Sequence, residues 1–277
     1  MIRPCVALLC PLPWLVGCGG ANDETLVDEV RVMAIVAEPP EVAPGGESAV
    51  SVYVADPAST EPDVLAWTCT NLGDGCMEAA DATQGTTVGT AAGGTLETTV
   101  LASSALAGVV ADGETVFPVF TWALACAPGV CPVIDLAASA PEPGTDEAAE
   151  LSAFLADPFD GVASLPLEGT SLAYSQVGVS MREVPVLNPT LVATDPAPVV
   201  AAGGEVDLAF TVEGDGALSA FGYTTMGGFG ATEYDVVDGA VTMTWFGSED
   251  PGDAELWVVV NGEEGGSAVW TGAGTVE

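Results

Sequence analysis

Apolar and polar residues alternate with a period of two along most of this chain, and glycine and proline interrupt the alternation at short intervals. Val50, Val52 and Val54 are spaced by Ser51 and Tyr53, and Leu208, Phe210 and Val212 by Ala209 and Thr211. Such spacing puts successive side chains on opposite faces of a strand, one of them in a core. It predicts strands at Val30–Val36, Ser48–Ala55, Val64–Cys69, Leu96–Leu101, Val116–Cys126 and Thr170–Met181. Further strands are expected at Leu218–Thr224, Ala254–Val260 and Ser267–Val276. Tyr234–Val237 and Ala240–Trp245 read as a hairpin across Asp238-Gly239, the sequence of a type I′ turn. Helical spacing appears at Asp146–Leu155, with Thr145 as N-cap, acids in the first turn and Pro158 stopping or restarting it.

The pattern repeats weakly. Val42-Ala43-Pro44-Gly45-Gly46-Glu47 precedes the first of the two alternating strands, and Val200-Ala201-Ala202-Gly203-Gly204-Glu205 the second. A proline-bearing segment and an apolar strand stand before each. Matched turns followed by matched alternation predict two related domains. The second has about seven strands, the number found in an immunoglobulin-like sandwich. The expected fold is therefore all-β: two tandem Ig-like β-sandwiches, at 29–184 and 185–277. The first carries a short helical, disulfide-clipped insertion at 126–169. Residues 183–188 read as the linker, with Pro185 and Pro189 favouring extended backbone.

Charge narrows the chemistry. Forty acidic residues face three arginines, with no lysine and no histidine, for a net charge of −37. Nucleic acid is excluded as a partner, because phosphate neutralisation needs clustered lysine and arginine. Without histidine or lysine there is no Ser-His-Asp or Cys-His arrangement, no imidazole metal site and no Schiff base. Composition leaves a two-carboxylate hydrolase open, but no motif calls for one, and no enzyme activity is expected.

The N-terminus has one positive charge at Arg3, an apolar run from Cys5 to Val16 and small residues before Cys18. These are the parts of a secretory signal peptide over 1–17. Leu15-Val16-Gly17-Cys18 resembles the lipobox of bacterial lipoproteins. The resemblance implies cleavage before Cys18, lipidation of its thiol and a lipidated tether over 18–28. Glycine at position 19 implies, by the same resemblance, sorting to the outer membrane. With the strand pattern, the whole chain resembles bacterial cell-envelope lipoproteins carrying Ig-like or fibronectin-like β-sandwich domains. That resemblance brings no catalytic residues with it.

An exported chain reaches an oxidising compartment, where Cys69, Cys76, Cys126 and Cys131 would pair as disulfides. Four cysteines allow three pairings. The local ones, Cys69–Cys76 and Cys126–Cys131, are preferred because each encloses a turn-rich loop, and a zinc site is the alternative. No cofactor is expected, with calcium as the open possibility. Its candidate ligands are Asp215, Glu249, Asp250 and Asp253, although no ordered calcium loop accompanies them. Asp56, Asp74, Asp112, Asp157, Asp215 and Asp253 beside glycine or proline read as turn formers. Trp67, Trp122, Trp245, Trp257 and Trp270 read as core. Phe221, Tyr223 and Phe229, in a glycine-rich stretch, are the binding-loop candidates. The expected function is a lipid-anchored, non-catalytic binding or scaffolding module, touching the membrane through its lipid and an envelope protein or glycan through its loops. A calcium-dependent adhesin-like module and an accessory subunit of a secreted hydrolase are the alternatives.

Overall fold

The computed structural model describes residues 23–277 apart from 59, 70–85, 167, 196 and 264. The expected signal peptide, Cys18 and Cys76 lie outside the described residues. The first domain begins with strands β1 (Arg31–Glu38), β2 (Glu41–Val42), β3 (Glu47–Ala55) and β4 (Asp63–Cys69). It continues through β5 (Thr86–Thr90), β6 (Thr95–Leu101), β7 (Phe117–Cys126) and β8 (Thr170–Val179). A three-stranded sheet in the order β1-β3-β6 faces a five-stranded sheet in the order β2-β8-β7-β4-β5. The second domain starts with β9 (Thr190–Ala193), β10 (Val199–Val200), β11 (Glu205–Glu213) and β12 (Leu218–Thr224). β13 (Gly228–Phe229), β14 (Tyr234–Asp235), β15 (Ala240–Phe246), β16 (Gly252–Gly262) and β17 (Ser267–Val276) complete it. Its sheets run β13-β15-β11-β9 and β10-β17-β16-β12-β14. Both units are Ig-like sandwiches by strand order.

The sequence repeat is a structural repeat. In each domain the first strand pairs antiparallel in one sheet, and the chain then crosses to pair briefly in parallel with the last strand of the other. β2 joins β8 in this way, and β10 joins β17. The Gly-Gly turn that follows is built alike in both: Gly45 and Gly203 take φ of 81° and 64°, a region that favours glycine. Gly46 N–H donates to Ala43 O and Gly204 N–H to Ala201 O, both at 2.8 Å. Val50, Val52 and Val54 fill the first core, while Leu208, Phe210 and Val212 fill the second.

The expected 234–245 hairpin forms only at its tip. Asp238 and Gly239 have the positive φ of a type I′ turn, at 51° and 74°, and Val237 bridges Ala240. Tyr234–Asp235 pairs instead with β12 in the opposite sheet. β15 pairs with β11 along its length and, at Trp245 and Phe246, with β13 on its other edge.

Between β7 and β8 stand the three helices α1 (Pro132–Ala138), α2 (Asp146–Ala156) and α3 (Pro158–Ala163). Thr145 Oγ1 caps α2 by accepting from Ala148 N–H at 3.2 Å, and Asp157 caps α3 after the chain restarts at Pro158. A disulfide joins Cys126 to Cys131 and clips the start of this insertion to the end of β7. The helices cover the outer face of the five-stranded sheet. Leu65, Trp67, Trp122 and Leu124 are buried there with Ile134 and Phe154, which explains why β4 and β7 are buried on both faces. Trp67 and Trp122 stack at 6.1 Å with an interplanar angle of 11°. Trp122 Nε1 donates to Cys69 Sγ at 3.1 Å. Cys69 is itself disulfide-bonded.

Truncating Trp122 to alanine would remove the ring that joins sheet, helices and Cys69. A loss of about 3–5 kcal/mol of stability is expected, read from urea denaturation.

Candidate functional site

The two domains lie against each other, and the expected tether is part of the junction. Residues 23–28 were expected within a polar tether, yet Thr25 and Val27 are fully buried. Val27 N–H donates to Thr224 O at 2.8 Å, and Phe229 N–H donates to Thr25 Oγ1 at 2.7 Å. The chain therefore binds the second domain before it enters β1 of the first. Val27, Met33, Ala55 and Trp257 form a buried cluster with Tyr53 and Tyr223 packed against it. A register shift in β1 between Val32 and Ala34 makes this possible. It leaves Val32 and Ile35 in the sandwich core while Met33 turns to the junction. Trp257, expected in a core, fills this junction, whereas its neighbours Leu256 and Val258 face the second core.

The linker is also tied down. Asn188 Nδ2 donates to Ala37 O and Glu38 Oε2, both at 2.6 Å, and Asn188 Oδ1 accepts from Ser267 N–H at 2.9 Å. One amide thus holds β1 of the first domain to β17 of the second. Buried Glu41 accepts from Ser180 Oγ and from Val186 N–H, and Arg182 approaches it at 3.7 Å.

Two concavities open at this junction. A cleft of about 580 Å³ lies between Asp56, Glu61 and Thr95 of the first domain and Glu255, Trp257 and Thr271 of the second. A groove of about 420 Å³ is lined by Glu24, Leu26, Arg31, Phe221, Tyr223 and Thr232. Four parts of the chain build the groove: the N-terminal segment, the start of β1, the outward face of β12 and, at Thr232, the stretch between β13 and β14. The Arg31 guanidinium sits 4.8 Å above the centre of the Tyr223 ring, and its Nη1 donates to Glu24 O at 3.1 Å. Burial pushes the Tyr223 phenol above its ordinary value of 10.0, and the charge of Arg31 partly opposes the rise.

The binding-loop candidates separate. Phe221 and Tyr223 are partly exposed and line the groove, but they stand on strand β12 and not on a loop. Phe229 is fully buried in β13, within the second core. The glycines around it permit this inward turn: a Cβ on Gly222 would lie 2.8 Å from the Phe229 ring. Arg31, Glu24, Leu26 and Thr232 were missed as site residues. Arg31 carried a signal, since the whole sequence has three arginines and only Arg31 and Arg182 lie beyond the N-terminal apolar run.

The calcium candidates are not brought together. Asp215 follows the end of β11, whereas Glu249 meets Gly203 just before its start. Nine residues of strand separate the two places, roughly 25 Å. Among the described residues, no three histidine, cysteine, aspartate or glutamate side chains are placed to hold a metal ion together. Asp56 and Asp112 act as turn formers, accepting from Ala58 N–H at 3.0 Å and from Thr115 N–H at 2.8 Å. The bonds from Thr115 hold the Asp112 carboxyl below the usual aspartate range. No helix among the described residues is long and apolar enough to cross a membrane.

No protein-family model matches the chain, and no curated protein matches it in sequence. Among solved structures, the D0–D1 domains of intimin align over 87% of this chain and 97% of theirs, at 10% identity and a TM-score of 0.25. Fibronectin(III)-like modules of Clostridium thermocellum CbhA align over 88% of this chain and 93% of theirs, at 13% identity and a TM-score of 0.28. The Yersinia pseudotuberculosis adhesin InvE aligns over 93% of this chain and 60% of its own, at 10% identity and a TM-score of 0.24. Scores this low say nothing about function, and the fold rests on the strand order described above.

Two measurements follow from the geometry. Ultraviolet titration should find Tyr223 ionising above 10.0, and Arg31→Gln should raise it further by removing the opposing charge. Because the folded value is raised, the neutral phenol's contribution to stability is complete below the unfolded value. It is lost as pH climbs through the folded one. Calcium and sodium chloride at matched ionic strength should raise the melting temperature equally, since dispersed carboxylates respond to screening and not to a particular ion.

Proposed function

We propose that this chain is an exported protein, held by lipid on Cys18 in the outer membrane of a bacterial envelope, that presents a non-catalytic pair of Ig-like domains for binding or scaffolding. The observation that carries the binding reading is the groove at the domain junction. Phe221 and Tyr223 line it from the outward face of β12, with Arg31 over the Tyr223 ring. Aromatic rings with a polar edge give contact area at small entropic cost, which suits recognition of a protein or glycan in the envelope. The anchor reading is supported by Leu15-Val16-Gly17-Cys18 and by the Cys126–Cys131 disulfide, which fits an oxidising compartment.

Fractionation tests the anchor. Wild-type protein should sediment with outer membranes and yield an acylated N-terminal peptide by mass spectrometry, while Cys18→Ser should move to the soluble periplasmic fraction. Sedimentation of the variant with membranes would overturn this part. Phe221→Ala tests the groove. It should lower crosslinking of intact envelopes at the junction at least about tenfold, with the melting temperature little changed. Equal crosslinking by both proteins would move recognition elsewhere.

A further inference from the structure

Both ends of the described chain are held by the second domain. At the C-terminal end, β17 is part of its five-stranded sheet, and Glu277 N–H donates to Val200 O at 2.9 Å. At the N-terminal end, Leu26 forms a parallel bridge with Thr224, and Thr25 accepts from Phe229 N–H. The first domain is therefore an excursion: the chain touches the second domain, leaves to build the first, and returns through the linker.

This connectivity has a mechanical consequence. A pull between the two ends of the chain enters at residues 24–27, crosses directly into β12 and β13, and leaves through β17. While those contacts hold, no tension reaches the first domain or the linker. We infer that residues 24–27 are a clasp that shunts force past the first domain, and that opening it brings β1 of that domain, with the Met33–Trp257 packing and the Asn188 amide that still hold it to the second domain, under the load. Its attachment is small beside what it protects. Thr25 and Val27 are its two fully buried side chains, and a few hydrogen bonds hold it. Each sandwich, by contrast, is knitted by ladders such as the ten-pair register between β7 and β8. Segments with few buried contacts open first, so the clasp yields before either sandwich. The proposed membrane anchor would fix one end of this load path; the clasp itself depends only on the junction contacts.

Optical-tweezers stretching of the mature chain, with handles at residues 19 and 277, reads this directly. Wild type should show a first low-force lengthening of about 2 nm, the extended length of residues 24–30, before the domains part or either unfolds. Moving the N-terminal handle to residue 30 should abolish that first step, because the force then bypasses the clasp. Val27→Asp puts a charge into the buried cluster and should abolish it too. Thr25→Val, which keeps the volume but removes the acceptor, should lower its force.

A second readout serves if Val27→Asp folds poorly. With no lysine in the sequence, trypsin has only Arg31 and Arg182 to cut in the mature chain. In Thr25→Val, cleavage after Arg31 should rise about tenfold relative to cleavage at Arg182. Unfolding of the first domain before any other event in wild type, or a first step unchanged in Val27→Asp, would overturn the clasp. Loss of membrane attachment in Cys18→Ser leaves the tweezers result as it is, so the two readings fail separately.

Discussion

The five-stranded sheet of each domain carries large apolar side chains on its outward face as well as its inward one, and covering them organises much of what lies outside the sandwich cores. In the first domain Leu65, Trp67, Trp122 and Leu124 point away from the core, and a helical insertion lies over them. The disulfide at Cys126–Cys131 starts that insertion in the right place. In the second domain Trp257 and Val259 point outward and are equally buried. Among the described residues, no helix stands there. The first domain and the N-terminal segment pack over Trp257 instead. Large rings left in water would cost several kcal/mol each, so the requirement is strong enough to fix how the domains meet.

That solution makes the junction the most informative part of the molecule. A bulge at Met33, an amide at Asn188 and a buried Val27 are three different devices that hold the same two bodies together. The groove beside them is lined by residues of the N-terminal segment, β1 and the second domain, so no single domain contains it. Arg31 is held in place by Tyr223 and by Glu24 O, so the groove and the clasp share residues. Anything bound there would act on the same equilibrium that governs whether the domains stay closed.

The acidic surface belongs to a different layer of the design. Among the described residues its carboxylates cap helices, close turns and face water, while Glu41 is drawn inside and satisfied by Ser180, Val186 and Arg182. A net charge of −37 spread in this way keeps copies apart and resists attraction to anionic headgroups.

Much of the local structure was legible in the sequence, because it depends on neighbours along the chain. Period-two spacing identified the inward faces of β3, β11 and β16; Thr145 marked a helix start, and Asp238-Gly239 marked a turn of the right type. The Gly-Gly-Glu repeat disclosed two similar domains because glycine is required at the same bend in both. Tertiary structure alone decided which sheet each short strand joins, and so split Tyr234–Asp235 from the hairpin it was read into. It also decided that Phe229 turns inward while Phe221 and Tyr223 do not, since that depends on Gly222 lying beneath the Phe229 ring. What covers the outward tryptophans was equally beyond local pattern. Burial of Trp257 depends on Val27 and Met33, and the groove needs Arg31 beside Tyr223. These are pairs far apart in sequence that only packing of whole domains brings together.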